Sequence, residues 1–147
     1  MALAVTLPFV PVVIWISQWT STFTGSTLAP FVDAAPSPAI LVGAVNYGLL
    51  ATGFPEELLF RGLIAGALFR RMTFWKGNLL QAGAFLLLHL LILLVAPNLW
   101  PLAIVLPVTL ALLAGWLRHT SGSIWPGVIL HALPNIAGAL AVLNWKG

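Results

Sequence analysis

Long apolar stretches broken by short clusters of polar, Gly and Pro residues run along this chain, without the strict alternation of a strand. Phe85 to Val95 is apolar on every face apart from one His, whereas barrel strands alternate. In lipid only helices and closed barrels satisfy their own backbone, so the pattern predicts an all-α, polytopic membrane helical bundle. Crossing roughly 30 Å of hydrocarbon takes about 20 helical residues, and cutting at the polar clusters yields about five or six transmembrane helices. They run from about Leu3 to Trp19, Pro38 to Phe54, Asn78 to Ala96, Leu99 to Leu117 and Ser123 to Asn144. Pro55 to Phe69 either continues the second helix past a bend or forms a short separate one. Thr20 to Thr27 and Asp33 to Pro38 read as loops. Residues 1–147 read as a single membrane domain, with no internal repeat.

Composition agrees. Of 147 residues, 61% are hydrophobic and 6% charged, against about 25% charged in soluble domains. The net charge of +3 is too sparse for a nucleic-acid surface and reads as membrane orientation. Arg70, Arg71 and Lys76 share one loop, and Arg118, two spans later, returns to the same side, which the positive-inside rule makes cytoplasmic. The C-terminus then faces outward, with Lys146 a mild exception. Trp15, Trp19, Trp75, Trp100, Trp116, Trp125 and Trp145 all fall near proposed span ends, as interfacial aromatic belts do. Leu3 to Trp19 lacks a signal peptide's positive n-region and is expected to be a retained helix. The chain has no Cys, which excludes thiolate metal sites and a Cys nucleophile.

Two of the three acids, Glu56 and Glu57, stand with Arg61 inside an apolar stretch. Unpaired, three such charges would cost roughly 8–10 kcal/mol on insertion scales. Glu57 and Arg61 are i and i+4 and can pair. Glu56 points about 100° away, toward a polar cavity, another helix or water. Neutralisation within the bundle is the plain structural reading, but intramembrane carboxylates are functional-site candidates by default.

His89 and His131 interrupt two further apolar helices. Glu56 is 15 residues from Arg71, His89 is 13 from Lys76 and His131 is 13 from Arg118. At helical rise these are depths of roughly 20–22 Å, so one buried polar layer can contain all three. Asn135, one turn after His131, can point into that layer, and Pro134 between them loosens the helix. Taken singly, each His and Asn135 could equally be interhelical glue. Phe85, one turn before His89, reads as packing. Gly62 and Gly66 form a small-xxx-small pattern expected to let the acidic helix pack closely. His119 is expected in an exposed loop beside Arg118; Asn46 and Gln81 read as helix contacts or interfacial residues.

A carboxylate in an apolar site beside an arginine suits a general base, and imidazole and amide N–H groups suit an oxyanion. The same residues suggest other chemistry. Glu56, His89 and His131 are ligand types for zinc or another divalent ion that activates water. Glu/His chains also form proton relays.

In this order on successive helical regions, Glu56-Glu57-x-x-x-Arg61, Phe85-x-x-x-His89 and His131-x-x-x-Asn135 resemble the three motifs of the CPBP intramembrane proteases, the CAAX protease and bacteriocin-processing (Abi) family. The likeness covers about residues 55–135, the expected protease motif core, and includes the wording Leu58-Leu59-Phe60-Arg61-Gly62. It implies an intramembrane endopeptidase in which Glu56 with His89 activates water, His131 and Asn135 support the oxyanion, and Glu57, Arg61 and Phe85 brace the site. Family descriptions divide between glutamate-type and metal-dependent, so the cofactor is open between none and a divalent metal held by Glu56, His89 and His131.

Family members commonly have more helices before the first motif; here 55 residues precede Glu56, so a substrate gate or dimer surface is expected to be missing or supplied by a partner, a homo-oligomer included. The implied partners are the lipid bilayer and a membrane-associated peptide or protein substrate, with no nucleic acid. The compact chain reads as an integral protein of a prokaryotic cytoplasmic (inner) membrane, where bacteriocin leaders and C-terminal sorting tails are implied substrates. From another class, the alternative is a non-enzymatic transporter or an immunity or scaffold protein with a buried Glu/His layer.

Overall fold

The computed structural model describes residues 1–21, 26–94, 97 and 100–143, without the side chains of residues 19, 20, 101 and 102. The described residues contain helices and no strand. Helices α1 (Ala2–Thr6) and α2 (Phe9–Thr20) precede a 3-10 turn at Ala29–Phe31. A continuous helix then runs from Pro38 to Phe69. It comprises α3 (Pro38–Val45), a π-helical segment (Asn46–Gly53), α4 (Phe54–Glu57), a second π segment (Leu58–Ile64) and α5 (Ala65–Phe69). Residues 55–69 therefore continue the second helix. Helix α6 (Phe74–His89) extends as a 3-10 turn over Leu90–Leu94, followed by α7 (Trp100–Ser121) and α8 (Trp125–Ala141).

Among the described residues, three helices are long and apolar enough to span a membrane: Pro38–Phe69, Phe74–Leu94 and Ala103–Ser121. Phe9–Gln18 is a shorter apolar helix, and α8 has 17 residues. Local signals explain the boundaries. Ser37 Oγ accepts from the Ile40 N–H at 3.3 Å and Pro38 occupies the first turn, a favourable helix start. Gly122, at φ 72°, follows the end of α7, where a left-handed residue closes a helix. Pro55 lacks an N–H and crowds the preceding turn, and the widened π segment Asn46–Gly53 accommodates it there.

The described chain forms two compact units. The first, Met1–Pro55 with the segment from Val128 onward, has a core of Leu28, Phe31, Ala44, Ala139 and Val142 against which Tyr47 and Ile136 pack. Gly48 and Gly53 let the π segment meet α8, since a Cβ on Gly48 would stand 2.9 Å from the Ala132 carbonyl and one on Gly53 3.1 Å from the Ala132 Cβ. The second, Glu56–Gly127, packs α6 against α7 around Phe60, Ala82, Phe85 and Ala111. Buried Asn78 and Gln81 clamp these helices, donating to the carbonyls of Leu112 at 3.1 Å and Ala111 at 2.8 Å. Each such bond satisfies a group that lipid cannot.

Several local expectations change. Helix α7 continues to Ser121, so Arg118 and His119 are helical, with His119 exposed and stacked on Phe74. Arg118 is half-buried, and its Nε donates to the Arg61 carbonyl at 3.3 Å. The expected close approach at Gly62 and Gly66 is not so tight that it requires glycine, since a Cβ added at either would meet its nearest neighbours at ordinary contact distances of 3.4 Å or more. Trp15, Trp75, Trp100, Trp116 and Trp125 are exposed, as belt residues are. Trp145, Lys146, the expected span ends at Ala96, Leu99 and Asn144, part of the Thr20–Thr27 loop and the Trp19 side chain lie outside the described residues.

Candidate active site

The second unit carries the first two motifs. Arg61 and Glu57 form an ion pair with Nη1 to Oε1 at 2.9 Å, each side chain 1% exposed. Burying two charges is costly, and only close pairing with further partners offsets it. Phe85 is one such partner: the Arg61 guanidinium carbon lies 4.5 Å from its ring centre, within cation–π range. Phe60 adds a ring 6.0 Å from the guanidinium and packs edge-on against Phe85 at 5.0 Å. On the far side of Glu57 lies Gly127, in the first turn of α8, where a Cβ would overlap Glu57 Oε2. The carboxylate thus faces a guanidinium and the positive end of a helix together.

Phe85 also touches the second motif. Its ring centre is 4.5 Å from that of His89, and the Phe85 carbonyl lies 3.0 Å from His89 Nδ1. A carbonyl only accepts, so Nδ1 carries the proton in this bond. His89 ends α6, and this bond to the carbonyl four residues back holds its ring. Glu56 shares the α4 turn with Glu57 and is half-buried. Glu57, Arg61, Phe85 and His89 therefore form one linked row.

The third motif lies in the first unit. His131 and Asn135 are half-buried, one turn apart on α8, with Pro134 buried inside the continuous helix. Asn135 Nδ2 donates to Thr52 Oγ1 at 3.0 Å, and Thr52 Oγ1 lies 3.1 Å from both the Tyr47 and Gly48 carbonyls. Motif reading missed Thr52, although a hydroxyl in the apolar run Leu49-Leu50-Ala51-Thr52 was a signal. It also missed Gly127 and Arg118, whose partners only the fold reveals.

Residues 37–137, more than two thirds of the chain, match the family model described as type II CAAX prenyl endopeptidase Rce1-like. The chain belongs to this Rce1-like family. It is an integral membrane protein of a protease family, consistent with the CPBP proteases, and the family implies a peptide or protein substrate in a membrane. No curated protein and no solved structure matches the chain. The matched stretch contains all three motifs and Thr52.

Two imidazoles and a carboxylate are suitable donor types for a divalent metal. Among the described residues, however, no group of three or more His, Cys, Asp or Glu side chains comes together as a metal site.

Proposed function

We propose that this Rce1-like protein is a glutamate-type intramembrane endopeptidase acting on a membrane-associated peptide or protein. The observation that carries the reading is the row Glu57–Arg61–Phe85–His89, which ties the first two motifs together and holds the His89 ring through its Nδ1 bond to the Phe85 carbonyl, beside which a water is activated in this reading. Glu56 takes a proton from that water as its oxygen attacks the scissile carbonyl carbon. His131 and Asn135 donate N–H groups to the resulting oxyanion. Collapse breaks the C–N bond, and the proton held by Glu56 passes to the leaving amine. The chain acts as one membrane domain, in a prokaryotic cytoplasmic membrane.

The test compares new peptide termini by mass spectrometry in native-host membranes containing wild type or Glu56→Gln protein at equal abundance. Termini present with wild type and absent with Glu56→Gln are expected. If no terminus differs while both proteins rescue a deletion strain, the protein works as a scaffold and the endopeptidase reading fails.

A further inference from the structure

We propose that Thr52, outside the three motifs, is a positioning residue for Asn135 that sets which end of its amide meets the substrate. An Asn side chain has a donating and an accepting end of nearly equal shape, and a half-turn exchanges them. An oxyanion requires the donating end, so a device that distinguishes the two ends has catalytic value. Thr52 is such a device.

Its hydroxyl has one hydrogen, and the Tyr47 and Gly48 carbonyls, both 3.1 Å away, take it. With that hydrogen committed, the oxygen can only accept, so the atom of Asn135 facing it must be Nδ2, as found at 3.0 Å. One Nδ2 hydrogen is then used by Thr52 and the second is left for the oxyanion. The π segment supports the arrangement: Thr52 reaches carbonyls four and five residues back, and Gly48 and Gly53 allow this segment to approach α8 at Ala132 and Ile136. The local packing therefore holds both partners of the Asn135–Thr52 bond.

This inference rests on the endopeptidase reading, so its test has a readout independent of cleavage. In detergent-solubilised protein labelled with 15N-asparagine, the side-chain N–H resonance pair lost in Asn135→Asp identifies the Asn135 amide. Thr52→Val keeps the shape and removes the hydroxyl; Thr52→Ala serves if the valine variant does not fold. Either is expected to move that resonance pair and to reduce Glu56-dependent termini about five- to tenfold, the scale of one side-chain hydrogen bond. Thr52→Ser is expected to restore both. An unmoved resonance overturns the proposal, as does a moved resonance with cleavage within about twofold of wild type. Absence of Glu56-dependent termini with the wild type overturns the endopeptidase reading itself, while the resonances still report the Thr52 bond.

Discussion

The Phe85 ring lies 4.5 Å from the Arg61 guanidinium on one side and 4.5 Å, centre to centre, from the His89 imidazole on the other. One buried phenylalanine thus joins the charge that neutralises Glu57 to the imidazole of the second motif. Leucine fills much of the volume but has no quadrupole for Arg61 and no ring for His89. Phe85→Leu is expected to cost about 1–2 kcal/mol, on the scale of one aromatic pair plus one cation–π contact, and Phe85→Ala about 3–5 kcal/mol. Unfolding in mixed micelles measures both. Leucine should also reduce Glu56-dependent cleavage, because His89 loses a ring that holds it.

The Glu57–Arg61 pair should behave as a coupled unit. Removing one partner leaves a charge 1% exposed without its ion-pair partner, so Glu57→Gln or Arg61→Met should each cost about 3–5 kcal/mol. The double variant removes both charges and should be more stable than the sum of the singles implies. A double-mutant cycle on unfolding free energy checks this; strict additivity would mean that the two side chains do not depend on each other. Arg61→Lys should not rescue fully, since an ammonium lacks the planar face that lies against Phe85.

Much of this was legible in the sequence for identifiable reasons. The i, i+4 spacing of Glu57 and Arg61, and of Phe85 and His89, is helix geometry, and the structure pairs both sets. The span start placed at Pro38 is where α3 begins. What was illegible depends on distant partners or subtle backbone changes. A π turn differs from an α turn by one residue in its hydrogen bond and leaves no hydropathy signature, so both π segments were unseen. Thr52 acquires its role from Asn135, 83 residues away. Arg118 looked like a loop cation because its acceptor, the Arg61 carbonyl, is 57 residues distant.

Metal dependence has its own test. No cluster of three His, Cys, Asp or Glu side chains occurs among the described residues, and the proposed chemistry uses Glu56 and His89 directly. Dialysis of purified protein against a strong chelator is therefore expected to leave Glu56-dependent cleavage within about twofold of the untreated enzyme, a change below about 0.5 kcal/mol in the barrier. Elemental analysis should find less than one zinc per chain in active preparations. Loss of cleavage on chelation, restored by zinc alone, would replace the glutamate-type mechanism with a metal-dependent one.

Small-residue packing can be tested with three alanines. A Cβ at Gly127 overlaps Glu57 Oε2, so Gly127→Ala must displace a carboxylate already held by Arg61; overpacking of this kind typically costs about 1–3 kcal/mol. A Cβ added at Gly62 would meet its nearest side-chain atom at 3.4 Å, so Gly62→Ala should be close to neutral despite the small-xxx-small pattern. Gly83, within α6, has nothing within 4 Å of an added Cβ, so Gly83→Ala should stabilise the helix by about 0.5–1 kcal/mol. Unfolding measurements on the three variants should rank them Gly83→Ala, Gly62→Ala, Gly127→Ala from most to least stable. Only Gly127→Ala should also reduce cleavage, because it alone moves a charge in the row that ends at His89. A reversed order of Gly62→Ala and Gly127→Ala would place the close helix contact at the sequence motif after all and remove Gly127 from the support of Glu57.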